Sequence, residues 1–267
     1  MILRHDVLDG VCVAAVFDDR GQMVALYAQP DDDRAWLGDI YTAQVTRYAP
    51  AQRAFFLDMG KDGEGFLPHK EAGFLSPGQK VVVCVERPAT RQKKIRCSLL
   101  DGEAEAVLGR MEHGADVILQ AQNDYPSAVV NDAGLEDYDA AILALLNPEV
   151  QVKQGINLVI ESMTALTAVD INNADPEMTP LEVNRLVTKT LAHELRLRNI
   201  GGQIVVDFLR LRDPKHRTTL ENAIQQAVTL DPCQVQLFGF TRLGLFEMVR
   251  AKRGLPLAEV FALVHGA

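Results

Sequence analysis

Cysteine is scarce: Cys12, Cys84, Cys97 and Cys233 are the only four in 267 residues. No two stand at C-x-x-C spacing, so no redox or zinc motif of that kind is present. Each lies in an apolar run, which predicts buried, reduced thiols. Long hydrophobic runs are absent as well, and nothing approaches the ~18 apolar residues of a membrane-spanning helix. The opening MILRHDVLDG carries a His and two acids where a secretory signal would be apolar. These absences predict a cytoplasmic protein without membrane attachment. No phosphate-binding glycine loop and no nucleophile motif occur. Positive charge is in deficit too: Lys+Arg 27 against Asp+Glu 36 gives a net charge of −9. That argues against nucleic-acid binding by bulk charge, but not against a local basic groove.

What is present reads as globular, with 48% hydrophobic and 24% charged residues. The length suits one large or two small domains. The first half is strand-like. Residues 11–17 and 23–28 flank the turn DDRGQ and predict a hairpin. Stretches 40–48, 53–58, 65–67, 80–87 and 94–99 follow at short spacing, with turns rich in Gly, Asp and Pro. That pattern suits a small antiparallel barrel. Residues 100–125 read as helical, with GEAEAVLGRMEHG the clearest stretch, and 135–146 as a second helix. Residues 156–161 and 165–171 predict a second hairpin. Thr179, Pro180 and Glu182 form a capping-box signature that opens a helix over 180–198, and Gly201-Gly202 closes it. QIVVDFL (203–209) reads as a strand buried on both faces. Asp213-Pro214 starts a helix that runs to about Leu230; 234–240 reads as a strand and 243–253 as a last helix.

The sharpest chemical feature is Asp170 and Asp207, each set in an apolar β run, ALTAVDI and QIVVDFL. A carboxylate buried there is costly unless paired or bound to a cation. If the two strands are neighbours, both carboxylates meet at one point and suit magnesium, a hard cation held by one or two carboxylates plus waters and phosphates. Asn172 falls on the same strand face as Asp170 and could add an amide oxygen. The alternative is that each Asp caps a strand end or pairs with an arginine. A second feature is aromatic: Phe56 and Phe66 on adjacent barrel strands, near Arg91, Lys93 and Lys94. Such barrels hold single strands by stacking bases while cations track the phosphates. Alternatively Phe55, Phe56 and Phe66 fill the barrel core. A third feature is basic: Arg196 and Arg198 before Asp207, Arg210, Arg212, Lys215 and Arg217 after it, and Arg242, Arg250, Lys252 and Arg253 further on. Arginine suits bidentate phosphate contacts; Arg196 and Arg198 could equally be a solvated helix end.

Four runs then resemble the ribonuclease E/G family: LTAVDINNAD, LRLRNIGGQIVVDF, GFTRLGLFEMVRAKR and, upstream, DIYTAQVTRYAPAQRAFFLDMGKDGEGFLPHKEA. The resemblance covers about residues 1–100 and 140–260. It implies an α+β chain: an S1-type OB β-barrel inserted into an RNase H-like remnant, followed by a DNase I-like α/β catalytic subdomain. The implied divisions are 1–35, an N-terminal hairpin of the RNase H-like part; 36–100, the S1-type RNA-binding domain; 101–147, a helical connector and RNase H-like remnant; and 148–267, the DNase I-like catalytic subdomain. It implies Mg2+-dependent endonucleolytic cleavage of single-stranded RNA, leaving 5′-phosphate and 3′-hydroxyl ends. Asp170 and Asp207 match the metal-binding aspartates and Asn172 the asparagine beside them. Phe56, Phe66 and Lys93 match the RNA-holding residues, and Arg210 and Arg250 would reach the backbone.

The sequence departs from that family in three ways. Only about 40 residues stand where the family carries a 5′-end sensor, so sensing of a 5′-monophosphate is not expected. No C-P-x-C zinc-link occurs, so a zinc-linked tetramer is not expected, while a homodimer stays open. Thr164 and Leu186 occupy positions where the family has glutamates. An RNA-binding or regulatory protein with little or no catalysis is therefore the competing expectation.

Overall fold

The structure is a computed structural model, and it describes residues 1–90 and 93–266. Strands β1 (Ile2–Leu8), β2 (Val11–Phe17) and β3 (Met23–Pro30) open the chain as an antiparallel meander. β1 lies outside the stretches that read as strands: its polar Arg4-His5-Asp6 centre separates the two buried residues, Leu3 and Leu8. The chain then leaves this sheet to build a barrel from β4 (Ile40–Ala49), β5 (Ala54–Asp58), β6 (Glu64–Pro68), β7 (Lys80–Arg87) and β8 (Ile95–Leu100), with the short α1 (His69–Ala72) after β6. β4 pairs with β5, β5 with β6, β6 in parallel with β8, β8 with β7, and β7 returns to β4. Five strands thus close on themselves, the OB-like arrangement expected for 36–100.

Residues 109–112 form β9 (Gly109–Glu112), an extra strand on β4, where the helix formers of GEAEAVLGRMEHG predict a helix. Pairing with β4 overrides that propensity, and Gly109 at φ 144 adopts a backbone that no helix uses. The helix comes later, as α2 (Val117–Asp124), capped by the Asp116 carboxylate. β10 (Val129–Val130) then rejoins the first sheet beside β1. The barrel is therefore inserted between β3 and β10. Helix α3 (Asp139–Ala144) completes this part.

The remaining chain builds a six-stranded sheet from β11 (Glu149–Lys153), β12 (Ile156–Ser162), β13 (Thr167–Asn173), α4 (Pro180–Leu197), β14 (Gly202–Asp207), α5 (Pro214–Val228), β15 (Val235–Phe240) and β16 (Phe246–Arg250), in the order β11-β12-β13-β14-β16-β15. The stretch read as a last helix, 243–253, is a correction: β16 lies between β14 and β15. Its apolar residues Phe246 and Met248 recur at period two and are buried, while Glu247 is exposed. Helix α6 (Leu257–His265) ends the described chain.

Helix α4 starts as expected, with Thr179 accepting from the Glu182 amide and the Glu182 carboxylate accepting from Thr179. It then serves two layers. Val183, Val187, Leu191 and Leu195 pack on the six-stranded sheet with Ile224 of α5. Its last turn faces the first sheet: Leu197 joins Val13, Phe17, Val260 and Phe261 in a second core, and His193 contacts the Met23 carbonyl at 2.6 Å. Arg198 is not a solvated helix end. It is buried, bonded to Glu194 at 2.8 Å and to the Asn147 carbonyl at 2.6 Å. Among the described residues no helix is long and apolar enough to cross a membrane.

Candidate active site

Helices cover one face of the six-stranded sheet only. β14 alternates: Ile204 and Val206 are buried against α4, while Gln203 and Asp207 are exposed. The expectation that 203–209 is buried on both faces fails for that reason, and so does the premise that its carboxylate must be desolvated. Asp170 is exposed likewise, between buried Val169 and Ile171.

Register makes the open face chemical. β13 and β14 are parallel, and Asp170 stands directly opposite Asp207. Side chains so paired share a face, with strands about 4.8 Å apart. Neither carboxylate has a hydrogen bond or an ion pair among the described residues. The same row continues through Val159 to Glu149. One step along the strands, a second row carries Glu161, Ala168, Val205 and Glu247. Asn172 sits two residues from Asp170 on the same face, opposite Asn157. Among the described residues, these rows thus present five carboxylates and no strand-borne cation. A phosphodiester brought there meets repulsion unless a cation reverses the local sign.

The donor set fits magnesium sparsely held. Among the described residues no cluster of three or more His, Cys, Asp or Glu side chains surrounds one point. Two adjacent unpaired carboxylates with an amide oxygen beside them match the low protein-ligand count that this ion accepts when waters and phosphates fill the rest.

The loops at this end are built to be firm. Asn184, buried within α4, donates to the Leu209 carbonyl at 2.8 Å and accepts from the Leu209 amide at 3.0 Å. That double bond clamps the chain two residues beyond Asp207. The sequence pattern places Asn184 in the apolar stripe of α4; the polar residue in that stripe was the available signal. After β13, the Asp175 carboxyl accepts from the Glu177 amide and from Lys153, which holds its pKa below the usual carboxylate range. Arg210 and Arg212 are exposed in the loop that follows Asp207.

On the barrel, paired residues form an outward band: Arg47 opposite Phe56, Phe56 opposite Phe66, Phe66 opposite Arg96, and Arg96 opposite Arg87. Phe56 and Phe66 meet edge to face at 5.9 Å between centroids. Phe55 fills the barrel interior. Phe56 points outward yet is buried, because the Arg47 guanidinium lies 3.7 Å from its ring centre and Lys94 lies 5.3 Å away. Phe66 is half-buried and Lys93 exposed; Arg91 lies outside the described residues.

Arg250 corrects the sequence reading most sharply. Its side chain is buried, bonds both oxygens of Asp231 at 2.8 and 3.0 Å and donates to the Ile200 carbonyl at 3.1 Å. It cannot reach a phosphate.

Comparison with known proteins gives a consistent picture. The sequence profile of the Ribonuclease E/G family matches residues 105–253. Ribonuclease G of Haemophilus influenzae is 37% identical over 126 residues, which is 45% of this chain and 26% of that protein. Ribonuclease E of Escherichia coli K12 is 35% identical over 127 residues, 45% of this chain and 12% of that protein. Ribonuclease G of E. coli K12 is 27% identical over 235 residues, 78% of this chain and 48% of that protein. The matches span under half the length of each of these relatives.

Proposed function

Since this chain belongs to the ribonuclease E/G family, we propose that it is an endoribonuclease that hydrolyses phosphodiester bonds of single-stranded RNA, leaving 5′-phosphate and 3′-hydroxyl ends. The observation that carries this reading is the facing, unpaired pair Asp170 and Asp207 on an uncovered sheet face.

Asp170 and Asp207 would hold Mg2+, with Asn172 beside them. When bound, the ion supplies a nucleophile from water at neutral pH and neutralises charge on the phosphodiester. The protein's own contribution is positional. The paired β13–β14 backbone sets the distance between the carboxylates, and the Asn184 clamp keeps the Asp207 end from drifting. Phe66 and the Arg47-covered Phe56 offer stacking surfaces for bases, and Lys93 and Arg210 offer charge to the backbone. In this reading, the six-stranded sheet with α4 and α5 is the DNase I-like catalytic part of 148–267. The first sheet is the RNase H-like remnant, made by 1–35 together with 101–147.

The test is cleavage of a fluorescent A/U-rich single-stranded RNA, with magnesium and with EDTA, by the wild type and by Asp170→Asn and Asp207→Asn. Magnesium-dependent cutting that both variants lose supports the reading. Full activity in Asp207→Asn overturns it. Binding without cutting by all three proteins would instead make the chain an RNA-binding member of its family.

A further inference from the structure

A recess of about 380 Å³ lies where the barrel meets the sheet. Arg87 and Lys93 line it from the barrel, Thr164 and Gln203 from the sheet, and Lys252 and Glu259 from the C-terminal segment. Its charge is positive on a chain of net charge −9: three cations face it against Glu259. Arg253 also borders it but is engaged by Asp124. Lys93 and Lys252 make no ion pair among the described residues.

Two features mark this as a built site. The Arg87 Nε is buried and has no acceptor among the described residues, while its Nη2 donates to the Lys94 carbonyl at 3.0 Å. A buried donor without a partner is uncommon and asks for an explanation such as an absent ligand. The second feature is how Lys252 is seated. Its stem lies across the Gly201-Gly202 pair: a Cβ on Gly202 would stand 2.6 Å from the Lys252 Cε, and one on Gly201 2.9 Å from its Cα. At Gly201 a side chain would meet the Lys252 backbone, and at Gly202 the φ of +100 itself favours glycine. The sequence reading assigns this pair to ending α4, but α4 stops at Leu197 and the left-handed residue after it is Asn199, at φ 48; the glycines instead make room for a lysine.

The recess is continuous with both parts of the candidate site. Arg87 is the last member of the outward band that contains Phe56 and Phe66. Gln203 is on the open face of β14, four residues before Asp207, or about 13 Å along the strand at ~3.3 Å per residue. We infer that the recess is a phosphate subsite for single-stranded RNA, in which Lys252, with Arg87 and Lys93 on the barrel side, holds one backbone phosphate between the stacking band and the carboxylate pair. This rests on the RNA-cleaving reading above and adds the groups that bridge its two halves.

The test is fluorescence anisotropy of a short single-stranded RNA in EDTA, across a series of KCl concentrations. Variants are Lys252→Ala, Lys252→Arg and, as a control on the exposed side of α4, Lys189→Ala. Lys252→Ala should weaken binding roughly three- to tenfold at low salt and make the slope of log K against log salt shallower by about 0.7, the increment for one phosphate contact on a single strand. Lys252→Arg should restore both, and Lys189→Ala should change neither. Inorganic phosphate as a competitor separates sources: displacement of RNA beyond that of chloride at equal ionic strength, lost in Lys252→Ala, supports the subsite. An unchanged affinity and slope in Lys252→Ala, with wild-type RNA binding intact, overturns the inference alone. Failure of the wild type to bind RNA at all overturns the reading on which it rests. In that case phosphate binding by the wild type would mark a free-anion site, not an RNA subsite.

Discussion

The guanidinium of Arg47 lies 3.7 Å from the centre of the Phe56 ring, and these two residues are register partners on β4 and β5. The ring therefore has a cation on one side before any base arrives. Stacking of a base requires that Arg47 swing aside or sandwich the ring from the other face. Base–aromatic stacking is worth about 1–3 kcal/mol per base. Phe66→Ala, at the half-exposed partner ring, is expected to lower RNA affinity by roughly five- to a hundredfold. Arg47→Ala is expected to change affinity less, since it exposes a ring while removing a charge. Anisotropy titration in EDTA reads both; an unaltered Phe66→Ala affinity would remove the barrel from the binding surface.

Asp170 and Asp207 repel each other when no cation is present. At about 5 Å in a water-like dielectric the repulsion is about 1 kcal/mol. Asp207→Asn should thus melt at the same temperature as wild type or roughly 2 °C higher in EDTA. Millimolar magnesium should raise the wild-type melting temperature and leave the variant's unmoved. A variant that unfolds earlier in EDTA would assign the aspartate a structural task.

Asn184 fills its buried position with two bonds to the Leu209 backbone. Asn184→Leu leaves the Leu209 N–H and C=O unpartnered, at a cost of about 2–4 kcal/mol. Asn184→Asp keeps an acceptor for the N–H but sets a carboxylate against the carbonyl. Both should lose stability by chemical denaturation. If either remains folded at assay temperature, its kcat should fall more than its RNA affinity, because Asp207 is displaced while the barrel is untouched.

How far these features were legible varies with the kind of interaction. The cap of α4 is local, and Thr179 to Glu182 announces it. The Asp170–Asp207 pair was visible as two acids in apolar β runs, but their exposure was not. Which face α4 covers is decided by packing across distant segments. β16 was misread because Leu, Glu, Met, Arg and Ala favour helix, while its strand state depends on β14 and β15. Arg250 looked like a surface cation in the run MVRAKR; its partner Asp231 is remote from that motif, and only the fold brings them together.

That pair carries its own expectation. Arg250 and Asp231 are both buried side chains, each 3% exposed. Removing one partner strands a buried charge, and Arg250→Ala should cost about 3–5 kcal/mol. Replacing both, as Arg250→Met with Asp231→Leu, should recover much of that loss. Urea unfolding of the three variants measures it; a double variant no better than Arg250→Ala would contradict the account.

The four thiols give a pH signature. Burial pushes the Cys97 thiol up to about 12. Burial, and then the bond to Asp31, pushes Cys12 up to about 11. Burial also raises Cys84 and Cys233. The sequence reading expects all four to be buried, but Cys12 and Cys84 are partly exposed and only Cys97 and Cys233 are buried. At pH 8 the latter two should react slowest with an aromatic disulfide, and all four should react after denaturation. Above about pH 9 unfolded thiols lose protons that folded ones keep. The unfolded state then binds fewer protons, so stability falls as pH rises from about 9 towards 12 and is intact below about 8. Melts at pH 8 and 10 check the sign, and Cys97→Ala should soften the alkaline loss.

The excursion of the chain from β3 through the barrel to β10 bears on how the molecule is made. Ile2 pairs with Val129 and Leu3 with Val130, so the first strand of this sheet finds its parallel neighbour only beyond the whole barrel. Closing that loop is costly while the intervening chain is loose. A folded barrel shortens the effective tether and brings β10 home. Pairings of such long sequence separation slow folding, and β1 stays an open edge until then. In this topology a folded barrel would serve as a scaffold for closing the first sheet. A variant with an unstable barrel should aggregate through its N-terminal meander before it ever loses the ability to recognise a ligand.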